Sequence, residues 1–139
     1  MSTAAALEQL QQHVDAIEGG YEFLLAYAAQ GLATDEGNAN SEQLRTYLRR
    51  MDDGIAGLEP AVRAVLGASG GAADFEDFLQ VVARDAAAAR AALRIVQSRA
   101  GISSQLIDNL NASIHVRALL TDLFLIDEIL KGNARRIAQ

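Results

Sequence analysis

The stretch LEQLQQHVDAIEGGYEFLLAYA, residues 7–28, decides the fold of this chain. Its apolar residues recur at alternating spacings of three and four, the period at which one face of an α-helix packs against neighbouring helices. The stripe comprises Leu7, Leu10, Val14, Ile17, Tyr21, Leu24 and Ala28. The pattern therefore predicts a long amphipathic helix.

The same kind of pattern recurs in later segments of the chain. A second stripe lies within residues 44–65 and a third within residues 75–100, and polar or glycine-rich stretches separate the segments. Ser103 or Ser104 is placed to cap a fourth helix, because a serine oxygen can accept a hydrogen bond from the first free N–H groups of a helix. We predict helices over residues 4–30, 41–66, 74–100 and 104–131.

Four helices of similar length joined by short connections favour one arrangement. Short connections place consecutive helices side by side and in opposite directions. We therefore predict an all-α, antiparallel up-down-up-down four-helix bundle, with residues 1–139 forming a single domain. Pro60 lies in the second stripe and removes a backbone donor, so we predict a kink or short break near residues 56–60.

Composition and charge exclude several classes of function. The net charge is −6, and residues 1–44 carry seven acidic residues and no Lys or Arg. Nucleic-acid binding requires a continuous basic surface, so it is not expected. No apolar run approaches the roughly 18 residues of a membrane span, and the first residues lack the pattern of a signal peptide. The chain has no cysteine, so we predict a cytoplasmic protein without disulfides.

Two segments carry more large apolar side chains than one buried stripe can hold. They are YEFLLAY, residues 21–27, and ALLTDLFLIDEIL, residues 118–130. A helix that is apolar on most sides is buried on most sides, so we predict that the first and fourth helices also contact a partner. The expected partner is a second copy, a larger protein, or both. The predicted interface residues are Phe23, Leu25, Tyr27, Leu120, Phe124 and Leu125.

No catalytic, metal or cofactor site is predicted. Neither histidine belongs to the Glu-x-x-His motif of di-iron bundles, and haem ligation by Met51 and His115 is the weaker interpretation of those residues. Gly19 and Gly20 interrupt a helix interior, where each costs about 1 kcal/mol relative to alanine. We interpret Gly19, Gly20, Tyr21 and Pro60 as a packing notch or, alternatively, a ligand site.

These features predict a non-enzymatic protein–protein interaction module, acting as a dimeric adaptor, chaperone or accessory subunit. The alternative is a four-helix bundle that binds a small molecule or cofactor near Pro60 or near the two adjacent glycines. An interaction protein should purify with a protein partner, whereas a ligand binder should carry a mass beyond that of the polypeptide.

Overall fold

The protein is all-helical in the part that the structure describes. A computed structural model places residues 2–68 and 70–138, with side chains described as far as residue 132. The elements are α1 (Thr3–Ala28), α2 (Ser41–Ala68), a 3-10 turn (Ala72–Phe75), α3 (Glu76–Gln97), α4 (Ser104–Ala112) and α5 (Ile114–Ala138). The predicted all-α class is confirmed, but the predicted number of helices is wrong, because these residues form five helices rather than four.

The predicted fourth helix is divided into α4 and α5 at Ser113. This residue has a ψ of 132°, which is extended rather than helical. A new helix begins directly after it, because the Ser113 Oγ accepts a 3.2 Å hydrogen bond from the N–H of His115. The carbonyl of Ser113 then accepts a 3.0 Å bond from the N–H of Arg117. Ser113 is therefore the N-cap of α5.

α2 runs without interruption from Ser41 to Ala68 although Pro60 lies inside it. Proline has no N–H, so the carbonyl of Ala56, four residues earlier, loses its helical donor. Both Ala56 and Pro60 are exposed, so water can reach that carbonyl. The predicted break near residues 56–60 is therefore wrong, whereas a kink at Pro60 stays a prediction.

Glycines let α1 and α2 approach closely, and these two helices share the most extensive contact in the fold. A Cβ atom built on Gly20 would lie 2.9 Å from the Cβ of Met51, and one built on Gly57 would overlap the His13 ring. The contact partners follow in opposite order along the two helices. The chain therefore reverses direction between α1 and α2.

The other helices complete one hydrophobic core. α3 packs against α2 and α5, and α4 packs against α1. Ion pairs join α2 to α3: Arg63 with Glu76 at 2.6 Å, and Asp52 with Arg90 at 2.8 Å and Arg94 at 3.5 Å. α5 lies against α3 and, less extensively, against α4, and its buried residues are Val116, Leu119, Asp122, Leu123 and Ile126. One side of α5 consequently faces outward.

Candidate functional site

Tyr27 does not lie on an outer surface, so its predicted place in an interface is wrong. Its relative exposure is 0%, and its hydroxyl donates a 2.6 Å hydrogen bond to the carbonyl of Ile102. The carbonyl of Tyr27 in turn accepts a 2.7 Å bond from the Ser104 hydroxyl. Burial, followed by the nearby charge of Asp35, raises the pKa of Tyr27 despite the opposing effect of Arg45. Tyr27 therefore has no exposed surface that a partner could contact.

Tyr27 belongs to a polar cluster that joins the loop between α1 and α2 to the segment between α3 and α4. Asp35, in the loop between α1 and α2, is 1% exposed and accepts a 2.8 Å hydrogen bond from the N–H of Ile102. The same carboxylate accepts bonds from Arg45 Nε at 3.0 Å and from the Ser41 hydroxyl at 2.7 Å. We call Tyr27, Asp35, Arg45, Ile102 and Ser104 the end clasp.

The electrostatics of the end clasp favour an ionised carboxylate. Burial alone would raise the pKa of Asp35, but hydrogen bonds from Arg45, Ser41 and the Ile102 N–H outweigh burial and lower the pKa to about 2. Arg45 also donates to the carbonyls of Arg99 and Ala100, at 3.1 and 3.0 Å. The cluster thus holds the segment after α3 against the start of α2, which is a structural role.

Phe23 and Leu25 lie on different sides of α1. They are two residues apart, which corresponds to about 200° around a helix of 3.6 residues per turn. Phe23 is half-buried and stacks on Tyr47, with ring centroids 4.4 Å apart, whereas Leu25 is exposed. Leu25 is therefore the residue of this pair that is free to contact a partner, and the two cannot belong to one continuous face.

α5 carries the largest exposed apolar side chains among the predicted interface residues. Phe124 is 66% exposed and Leu125 is 48% exposed, whereas Leu120 is partly buried against the core. Ile114, which the sequence analysis did not include, is 72% exposed at the start of the same helix. We call Ile114, Phe124 and Leu125 the α5 apolar face.

The members of the α5 apolar face lie close together around the helix. Ile114 and Leu125 are eleven residues apart, which is about three full turns, so they align on one side. Phe124 lies about 100° away from Leu125. Charged side chains also lie on this side of α5, because Arg117 and Glu128 fall between Phe124 and Leu125 around the helix. The Asp127–Lys131 ion pair, at 2.9 Å, lies beyond Phe124. A mixture of apolar and polar side chains is common in non-obligate protein interfaces, which as a whole are about as apolar as the rest of a protein surface.

The glycine notch of the sequence analysis is occupied by the protein itself. Met51 lies over Gly20, and Tyr21 is partly buried against the core. No heavy atom lies within 4 Å of a Cβ built on Gly19 among the described neighbours. Pro60 lies on another helix, so the structure does not bring these four residues into one site.

A shallow groove follows the contact between α2 and α3 at Pro60. It encloses about 220 Å³ and is lined mainly by small apolar side chains. The lining residues are Ile55, Ala56, Glu59, Pro60, Ala83, Ala86, Ala87 and Arg90. Both charged residues are already paired, Glu59 with Arg63 and Arg90 with Asp52. Apart from these two charged residues, the groove is lined mostly by alanine, so it can select a ligand by shape alone.

The described residues hold neither a metal site built from carboxylates and histidines nor a membrane-spanning helix. They contain no group of three or more His, Asp or Glu side chains placed to hold a metal ion. No helix among them has the length and apolar character needed to cross a membrane. No protein-family model, curated protein or solved structure matches the chain.

Proposed function

We propose that this chain is a non-enzymatic protein–protein interaction module that self-associates through the α5 apolar face. The observation that supports this proposal is the exposure of Ile114, Phe124 and Leu125 on one helix. Full burial of a side chain of this size contributes about 1.5–3 kcal/mol, so leaving three exposed has a substantial cost in water. A partner surface removes that cost.

A second copy is the simplest partner. Two-fold symmetry lets one face contact its own equivalent, so no second complementary surface is needed. In this proposal the five helices form an antiparallel bundle, with α4 and α5 together in the place of the predicted fourth helix. The interface contains the α5 apolar face, flanked by Leu120 and by Leu25 of α1. The module then acts in the cytoplasm as an adaptor, chaperone or accessory subunit.

The substitution Phe124→Glu tests the self-association. It places a charge in the α5 apolar face, and an unpaired buried charge costs several kcal/mol. We expect the wild type to be dimeric at micromolar concentration by light scattering and the variant to be monomeric. Circular dichroism of the variant should remain helical, because Phe124 contributes little to the core.

Ile95→Glu supplies the matched control. Ile95 is 63% exposed on α3, so this variant introduces the same charge at an exposed apolar position of another helix. It should remain dimeric. A dimeric Phe124→Glu variant would place Phe124 outside the interface, and a monomeric wild type would rule out self-association altogether.

A small-molecule binder is the second candidate, and the groove at Pro60 is the observation that favours it. A ligand bound there would contact α2 and α3 without disturbing their ion pairs. Native mass spectrometry of protein purified from its own host should then show an adduct. The variant Ala87→Trp, which fills the groove, should lose that adduct, whereas unmodified mass in the wild type would exclude this function.

A further inference from the structure

A pair of carboxyl groups, one of them buried and the other partly exposed, joins α5 to α3. Asp122 lies on the inner side of α5 and is 5% exposed, and its carboxyl is hydrogen-bonded to that of Asp85 on α3. The other oxygen of Asp122, Oδ2, is fully buried and has no hydrogen-bond partner among the described residues. An ionised carboxylate in this position would be poorly solvated.

Two adjacent carboxyl groups favour one shared proton. Burial, followed by the hydrogen bond and charge of Asp85, raises the pKa of Asp122 from 3.8 to about 7. With one proton, the Asp122 hydroxyl can donate to the Asp85 carboxylate, so the pair attracts. Without it, two negative charges face each other in a poorly hydrated place, so the pair repels.

No cation acts on Asp122 among the described side chains, because burial and Asp85 are the influences on its pKa. Arg90 and Arg94 of α3 bind Asp52 instead. The remaining charged residues with described side chains on these three helices are Glu76, Asp77 and Arg84 on α3, Asp108 on α4, and His115, Arg117, Asp127, Glu128 and Lys131 on α5. The shared proton therefore takes the place of a cation in reducing the negative charge of the Asp85–Asp122 pair.

The connections of α5 allow the helix to move when the Asp85–Asp122 pair loses its proton. The helix is separated from α4 by the extended residue Ser113, and its contacts are chiefly with α3 and α4. A single residue at the end of a helix can act as a hinge by changing its backbone torsions while the helices on either side stay intact. The apolar contacts of Val116, Leu119, Leu123 and Ile126 oppose opening, so the docked state remains the main one.

We propose that the Asp85–Asp122 carboxyl pair is a proton-dependent latch that holds α5 against α3, with Ser113 as the hinge. When the shared proton leaves, α5 opens more often and exposes the apolar residues of its inner side. The latch is independent of the proposed self-association, since it concerns the inner side of α5 rather than the α5 apolar face.

The direction of the pH effect follows from the number of bound protons. Between the ordinary pKa of 3.8 and about 7, the docked state keeps a proton that the open state has released. The latch is therefore strongest below pH 4 and weakens as the pH rises to about 7, after which the effect is constant. One proton changes the opening equilibrium about tenfold per pH unit within that window.

Amide hydrogen exchange of the full chain at pH 5 and pH 8 tests this proposal. The variant Asp122→Asn keeps a donor toward Asp85 but cannot ionise. When wild type and variant are compared at the same pH, the intrinsic exchange rate of the amides is the same in both and cancels. We expect α5 amides to exchange faster in the wild type, by a ratio that increases on the order of a hundredfold from pH 5 to pH 8. Asp127→Asn, an exposed change on the same helix, should leave wild-type behaviour intact.

A second measurement on the wild type avoids dependence on any variant. The exchange of α5 amides relative to α2 amides should increase from pH 5 to pH 8, because α2 carries no part of the latch. A constant ratio between α5 and α2, or an equal response of wild type and Asp122→Asn, would overturn the proposal.

Discussion

The hydroxyl of Tyr27 donates a 2.6 Å hydrogen bond to the carbonyl of Ile102, which lies 75 positions further along the chain. Ile102 is itself fully buried, and its N–H is bound by the carboxylate of Asp35. Both backbone groups of one residue are therefore satisfied by side chains from the first third of the sequence. The segment between α3 and α4 is held by side chains rather than by secondary structure.

Tyr27→Phe should destabilise the protein by about 1–3 kcal/mol, because it leaves the buried carbonyl of Ile102 without its donor. Urea unfolding followed by circular dichroism measures this difference. Tyr47→Phe removes the same hydroxyl from a partly exposed ring and should change the free energy of unfolding much less. Equal losses in the two variants would mean that the Tyr27 bond has no special contribution.

Asp35→Asn should remove a pH-dependent part of the stability. The folded pKa is about 2 and the ordinary value is 3.8, so the ionised carboxylate contributes about 2 kcal/mol above pH 4. That contribution is lost as the pH falls through the range from about 4 to about 2. The unfolding free energies of wild type and variant should therefore differ at pH 6 and converge near pH 2. A constant difference across this range would contradict the assignment.

The adjacent glycines of α1 should respond differently to substitution by alanine. Gly19→Ala meets no neighbour and should stabilise the helix by about 1 kcal/mol. Gly20→Ala places a Cβ atom against Met51, so it should be less favourable than Gly19→Ala by about 1–3 kcal/mol. Thermal unfolding of both variants gives this difference, and similar melting temperatures would show that α1 and α2 separate easily.

Asn111→Leu should stabilise the protein by about 1–2 kcal/mol. Both amide atoms of Asn111 are buried and have no hydrogen-bond partner among the described residues. Leucine has nearly the same branched shape without the polar groups, and it also favours a helix more. Urea unfolding is again the measurement. A loss of stability would indicate that the amide is satisfied, for example by a bound water molecule.

Local periodicity was enough to identify most of the core. Leu10, Ile17 and Leu24 are on the predicted stripe of α1 and are buried as expected. Leu7, on the same predicted stripe, is 43% exposed, so the α1 stripe holds only in part, whereas residues such as Leu48 of α2 and Leu93 of α3 are fully buried. These positions follow from helix geometry alone, which depends on neighbours three and four residues away.

The features that the sequence did not predict depend on distant contacts or on one residue. Tyr27 falls on the flank of its helix by periodicity, and it is buried because the loop containing Ile102 closes over it. The division at Ser113 has a local signal, since serine is a common N-cap, but the apolar pattern on both sides hides it. For Asp122 of α5, the local sequence spacing does not predict that Asp85 of α3 lies next to it.

The end clasp also has a consequence for the order in which the chain folds. α1 and α2 are joined by a short loop, so their contacts close a small chain segment, whereas the clasp joins residues about 70 positions apart. Closing the longer segment costs more entropy, so we expect the helix pair to form before the transition state and the clasp after it. Tyr27→Phe and Asp35→Asn should then speed unfolding while leaving the refolding rate nearly unchanged. Stopped-flow measurements of the unfolding and refolding rates would then show that the end clasp determines the lifetime of the folded state.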